Sequence, residues 1–376
     1  MLLSSRGRAT LATALSVGAS LLGPGAAPAH PEEVPAPPAA RADEEPGPTS
    51  HLIFRAFGNI DWLSRRADVP DTFSVGQLDL FATSELTDDV SVLAEIVLEA
   101  DYERETQVAD VERFQVRYAP LDAVNVSLGR MHTVLGYWNQ TYHHGAWLQT
   151  TAFRPEVYRW EDEEGGGLLP VHEVGLRLSG AVTTSPLRIE YSGSVANGRG
   201  VVPEDVVTVQ DPNRSKAVSL WLGLVPKGWP GPEIGGTAHF DTIPVRPGDP
   251  RRESELGERI LGAFLAFRRS NAEVIAEAFD IRHEDERTGE SYRSAGLYMQ
   301  GAWSIGRVKP YYRFDLVDRD ESDPYYHDVL RDLRKHTLGV RFDPWERLAV
   351  KLEGSRADPG SGESYNAAVV QVAFTF

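Results

Sequence analysis

The sequence predicts an all-β chain: a transmembrane antiparallel up-and-down β-barrel of about 16 strands. Three observations predict it. Segments of about ten residues alternate apolar and polar with a period of two. No apolar run after the N-terminus reaches the ~18 to 20 residues of a spanning helix. The connections between segments switch between short and long along the chain, as expected for turns at one rim and loops at the other.

The N-terminus predicts export. Arg6 and Arg8 form a basic region ahead of an apolar stretch, residues 9–22, too short to span a bilayer. Ala27 and Ala29 put small residues at the −3 and −1 sites, so residues 1–29 are expected to be a signal peptide. A second small-residue site ends at Ala40. Residues 30–50, rich in Pro, Ala and Glu, are too poor in apolar side chains to build a core and are expected to be a disordered leader. The barrel is expected over 51–376.

Cysteine is absent, which excludes thiolate chemistry and cysteine metal sites. The net charge of −17 argues against nucleic acid as a partner. Hydrophobic content of 41% suits a barrel, because only alternate residues need meet lipid.

The segments justify themselves in order. Leu52, Phe54, Ala56 and Ile60 share one face of the first, against Arg55, Asn59 and Asp61. Val90, Val92, Ala94, Ile96, Leu98 and Ala100 oppose Ser91, Glu95, Glu99 and Asp101. Phe114, Val116 and Tyr118 oppose Arg113, Gln115 and Arg117. Leu187, Ile189 and Tyr191 oppose Arg188, Glu190 and Ser192. Val308, Tyr312, Phe314 and Leu316 oppose Lys309, Tyr311, Arg313 and Asp315. Leu348, Val350 and Leu352 oppose Lys351 and Glu353. The stretch from Glu233 to Arg269 shows no clean period. Trp62, Tyr102, Tyr118, Trp229, Trp303, Tyr311, Tyr312 and Trp345 lie near segment ends, as interfacial girdles would require.

The last ten residues, AAVVQVAFTF, alternate strictly and stop on Phe376. That end resembles the closing strand of bacterial outer-membrane barrels, in which it is the insertion signal. The resemblance implies an outer-membrane location in a Gram-negative-type bacterium. It implies membrane lipid and lipopolysaccharide as surroundings, and barrel-insertion machinery engaged through Phe376.

The longest connection runs from His132 to Pro170, and a structureless loop of that length is usually functional. Its entry, Leu128-Gly129-Arg130-Met131-His132 followed by Gly136-Tyr137-Trp138-Asn139, resembles the strand-to-loop junction of bacterial outer-membrane porins related to the phosphate-selective group. The loop carries no basic run comparable to an anion trap. In porins the third external loop folds into the barrel and narrows it. The resemblance therefore implies an inward-folded third loop, a water-filled channel and a homotrimer.

The candidate constriction residues are an acidic run in this loop, Glu161, Asp162, Glu163 and Glu164, and arginines on the expected inward faces: Arg55, Arg113, Arg117, Arg130, Arg177, Arg188, Arg313 and Arg341. Opposed charges across a narrow wet gap set a field that sorts solutes. Some should instead pair along the wall, since Glu95 and Glu99 lie roughly opposite Arg113 and Arg117. His132, His143, His144 and His172 bracket the same loop and are weak metal candidates. Adjacent histidines on extended chain point apart and their spacing matches no zinc pattern, so packing within the loop is the expected role. No cofactor is expected.

Three functions fit such a barrel: a passive channel for small hydrophilic or ionic solutes, a plugged surface-binding or structural barrel, and a barrel enzyme. No Gly-x-Ser-x-Gly elbow is present, and the expectation is a channel and not an enzyme.

Overall fold

A computed structural model of the chain describes residues 51–64, 70–101, 106–143, 145–159, 166–205, 210–228, 231–269 and 271–376. The expected signal peptide and leader, His144 and the run Glu161–Glu164 lie outside the described residues.

Sixteen strands among the described residues close into one antiparallel barrel in simple neighbour order. They are β1 (His51–Ser64), β2 (Thr72–Glu85), β3 (Val90–Asp101), β4 (Thr106–Leu121), β5 (Val124–His132), β6 (His172–Thr183), β7 (Leu187–Ala196) and β8 (Ala217–Pro226). The ring continues through β9 (Pro232–Ile243), β10 (Leu256–Arg269), β11 (Ala272–Asp285), β12 (Ser291–Trp303), β13 (Val308–Asp318), β14 (Leu333–Trp345), β15 (Leu348–Pro359) and β16 (Tyr365–Thr375). The seam is β1 against β16, with Ile60 opposite Val372 and Trp62 opposite Val370. Phe376 extends it, exchanging backbone hydrogen bonds with Ala56 at 2.9 and 3.0 Å. Closure leaves no free edge, which a sheet in lipid requires.

The two faces of the wall are inverted relative to a water-soluble protein. Phe54, Leu128, Leu338 and Trp345 are exposed on the outside, Leu338 to 67%. Asp61, Asp79, Glu95, Glu277, Asp315 and Lys351 are buried within. In water each exposed large apolar side chain would forfeit about 1.5–3 kcal/mol of burial. Lipid removes that cost, so the alternation read from the sequence describes a lipid-facing exterior.

Tyr118, Trp303, Trp345 and Phe376 are exposed at the short-turn rim. Tyr311 corrects the expectation for its position. It is buried, and its hydroxyl donates to Glu353 at 2.9 Å.

β9 and β10 occupy the stretch that showed no period. In β10, Ile260, Phe264 and Ala266 are buried on one parity, while Leu261 lies exposed on the other. Both faces are apolar, so alternation in hydrophobicity is lost although the strand is regular.

Candidate functional site

The connection 133–171 joins β5 to β6. Gly129 takes φ +139°, a conformation that L side chains rarely adopt, and a Cβ there would lie 2.0 Å from the Phe114 carbonyl oxygen. Beyond it the strand alternation breaks, and residues 130–139 are buried without interruption. The connection holds one short helix, α1 (Trp138–Thr141), and a 3-10 turn over Glu156–Tyr158.

A mostly irregular segment carries backbone groups that need partners. Here wall side chains supply many of them. Glu277 of β11 accepts from the backbone N–H of Tyr137 (2.6 Å) and Trp138 (2.8 Å) and from the hydroxyls of Tyr158 and Tyr298 (2.7 Å each). Asp79 of β2 accepts from Gly145 N–H at 3.0 Å, Glu353 of β15 from Ala152 N–H at 2.6 Å, and Asp315 of β13 from Glu156 N–H at 3.0 Å. Cations bind the carbonyls. Arg313 donates to Phe153 O (2.8 Å) and Arg154 O (3.1 Å), and Arg341 to Trp147 O and Gln149 O (2.7 Å each). Lys351 donates to Ala146 O and, at 2.7 Å, to Thr151 O. Trp221 of β8 and Thr237 of β9 donate to Gly136 O and Val134 O. Gln371 of β16 donates to Ala152 O. One segment is thus bonded to β2, β8, β9, β11 and each strand from β13 to β16.

Gly136 allows the closest of these approaches. Its φ is +67°, and a Cβ would fall 1.8 Å from the Tyr158 hydroxyl and 2.3 Å from Glu277 Oε2.

Apolar packing adds to these bonds. Val134, Leu135, Tyr137, Trp138, Val157, Tyr158 and Leu168 form one cluster with Trp221, Ile260, Phe264, Ile275, Phe279 and Tyr298 of the wall. Trp138 stacks on Tyr158 with ring centroids 5.4 Å apart. The wall from β8 to β12 is therefore dry over this patch, where the alternation elsewhere predicts charge.

Electrostatics hold the 3-10 turn. Burial opposes ionisation of Glu156, but Arg159 and Lys335 outweigh it and hold the carboxyl down at about 2. Lys335 Nζ donates to Glu156 Oε1 at 2.6 Å. The far end of the connection is clamped from outside. Arg199, in the loop after β7, donates to Gly167 O (2.8 Å) and Leu168 O (2.7 Å), and Tyr326 donates to Leu168 O (2.8 Å). Burial disfavours the Arg199 charge, but Glu258, Tyr326 and Tyr325 more than offset it and raise its pKa.

The arginines expected to line the lumen divide into two groups. Arg313 and Arg341 depart from that expectation: both are buried beneath the connection, and they also pair with Asp315 and Asp343, each at 2.8 Å. Their reach to main-chain carbonyls takes them out of open water. Arg130 is buried too and pairs with Asp110 at 2.8 Å. Arg113 pairs with Glu95, as the sequence led us to expect, and Arg177 with Glu173 at 2.7 Å. Arg117 is exposed and donates to Asn125 at 2.9 Å, Arg188 is half exposed beside Glu190, and Arg55 is exposed. Arg117, Ser127, Arg177, Ser194, Ser219 and His239 stand opposite one another in one row across six strands. The arginines of this set that are not buried thus lie on β1, β4, β6 and β7.

Sequence reasoning missed Asp79, Glu277, Lys335, Lys351, Glu353 and Arg199. Nothing in a strand marks which of its inward charges will meet a distant loop.

This geometry defines a class: a closed sixteen-strand barrel of the outer-membrane porin fold. No family model matches the chain, and no curated protein sequence matches it. Solved structures do resemble it. An anion-selective porin from Comamonas acidovorans superposes with a TM-score of 0.60 at 11% identity, over 87% of this chain and 100% of that one. The outer membrane channel DcaP of Acinetobacter baumannii gives 0.59 at 11%, covering 87% and 97%. A loop L8 deletion mutant of OmpT, an outer membrane protein of Vibrio cholerae, gives 0.59 at 10%, covering 87% and 99%. At such identities the likeness is one of fold.

Proposed function

We propose that the protein is an outer-membrane porin of a Gram-negative-type bacterium: a passive, water-filled channel for small hydrophilic or ionic solutes, narrowed by the 133–171 connection folded into its lumen. The observation that carries this reading is the set of bonds from that one connection to wall side chains of β2, β11, β13, β14 and β15. Bonds to so many parts of the wall support a path across the interior. A channel of this kind needs no catalytic group, and we assign none.

Permeating solutes would pass between the connection and the basic wall of β1–β7, lined by Arg55, Arg113, Arg117, Arg177 and Arg188. The run Glu161–Glu164 would supply the opposing charge. The junction residues Leu128–His132 and Gly136–Asn139 support kinship with phosphate-selective porins, so phosphate belongs among the test solutes. A homotrimer is part of the proposal. OmpT of Vibrio cholerae is described in a trimer form.

A second reading is a plugged barrel with a surface or structural role. The dry cluster joining the connection to β8–β12 favours it. Planar-bilayer recording separates the two: stable open steps are expected for the channel, and a sealed barrel would support the plug. Deleting Gln140–Glu164 should raise unit conductance several-fold. An unchanged unit conductance would reject the placement of this connection in the ion path.

A further inference from the structure

The histidines that bracket the long connection come together in three dimensions. His132 and His172 are the last opposed pair of β5 and β6, and His143 follows α1. One nitrogen from each ring lies within 4.8 Å of the others. His143 Nε2 is 3.0 Å from His172 Nε2, and Glu112 Oε2 is 2.6 Å from His172 Nε2. The His132 and His143 rings stack with centroids 3.6 Å apart. All four side chains are buried. Glu112 is the extra residue of a bulge in β4, where Val111 pairs with Ile96 and Arg113 with Glu95. Bulges commonly re-aim a side chain in this way.

Asn139 fixes the tautomer of His143. Its Nδ2 donates to Thr133 O at 2.9 Å and to Val171 O at 3.1 Å. Its Oδ1 is therefore the atom that meets His143 Nδ1. An amide oxygen only accepts, so the His143 proton sits on Nδ1 and a lone pair remains on Nε2. That lone pair is directed at His172. Orientation of a ligand imidazole by a hydrogen bond to its other nitrogen is a regular feature of metal sites.

We propose that His132, His143, His172 and Glu112 bind one divalent transition-metal ion, with Zn2+ the best fit, and that the ion ties the neck of the 133–171 connection to β4. Three imidazole nitrogens and one carboxylate oxygen make a four-coordinate zinc donor set. Ligand atoms around a tetrahedral zinc stand about 3.3 Å apart, given bonds of about 2.0–2.1 Å. The observed 3.0 and 2.6 Å separations open slightly to admit the ion, and the His132 ring, stacked on His143, turns to bring its nitrogen in. Arg130 lies 3.9 Å from Glu112 Oε2, but Asp110 at 2.8 Å meets its charge. The other histidine and acid group, His239, Asp241 and Glu258, is unsuited to a cation because Arg199 already stands 3.1 Å from Glu258. The site is independent of whether the barrel conducts.

The test uses the full chain, folded in detergent, stripped with a chelator and dialysed against Zn2+. One equivalent of Zn2+ per chain is expected, and Co2+ in its place should show the visible absorption of a four-coordinate ion. His143→Gln should lower Zn2+ affinity about 100-fold, and Glu112→Gln at least tenfold. His327→Gln, at an exposed loop histidine, should leave affinity unchanged. His143 lies outside all the strands, so its loss spares barrel assembly, checked by β-sheet circular dichroism. Binding below one-tenth of an equivalent overturns the proposal. So does equal Zn2+ affinity in the native chain and a folded His143→Gln variant.

Discussion

Glu277→Gln is the sharpest probe of how the long connection is held. The carboxylate accepts four donors at 2.6–2.8 Å, two of them backbone N–H groups of Tyr137 and Trp138. A glutamine of the same shape offers one acceptor oxygen and turns an N–H2 group toward the remaining donors. The oxygen can serve about two of the four, leaving two buried donors unmet at about 1–3 kcal/mol each. The tyrosine hydroxyls can rotate toward other acceptors, so about 3 kcal/mol is the expected loss in docking of the 134–142 stretch. That is about a 100-fold rise in its local opening equilibrium. Hydrogen exchange read by mass spectrometry on the folded barrel should show peptides over 134–142 exchanging about 100-fold faster, with β16 unchanged. A change under about threefold in a folded barrel would refute the view that this carboxylate holds the segment.

Three further outcomes are expected. The Glu156 carboxyl is depressed from 4.5 to about 2, so its stabilising contribution is complete above about pH 4.5 and is lost as pH falls towards 2. The contribution is about 3 kcal/mol, and Lys335→Met should move the acid loosening of 155–159, followed by hydrogen exchange, to higher pH. An unmoved midpoint would dismiss that ion pair. Leu338→Arg places a charge on the lipid face and should cost about 2–4 kcal/mol in equilibrium folding into vesicles if the site is near mid-bilayer. Arg117→Gln combined with Arg188→Gln should shift the reversal potential in a salt gradient toward cations, and a fixed potential would take these arginines off the ion path.

The barrel was legible because lipid imposes a rule on every strand. Period two in β1, β3, β4, β7, β13 and β15 gave strand identity and facing, and the short and long connections gave a count of about sixteen, which the closed barrel of sixteen matches. Where the rule failed it failed for a reason. β10 carries Ile260, Phe264 and Ala266 against the apolar connection and Leu261 toward lipid, so both faces read alike. The girdle rule misread Tyr311 in a similar way, because an aromatic that caps Glu353 inside the barrel looks the same in one dimension as one facing the interface.

The sequence by itself determined a lipid-facing cylinder, its strand order and the one connection too long to be a simple loop. Those features depend on local periodicity and chain length, which are written residue by residue. Only the tertiary structure decided which charges bond that connection, that the wall from β8 to β12 is dry beneath it, and that His132, His143 and His172 converge with Glu112. Such meetings join residues up to 219 positions apart, as Gln371 and Ala152 are. They follow from the path of an irregular segment, and no repeating pattern encodes it.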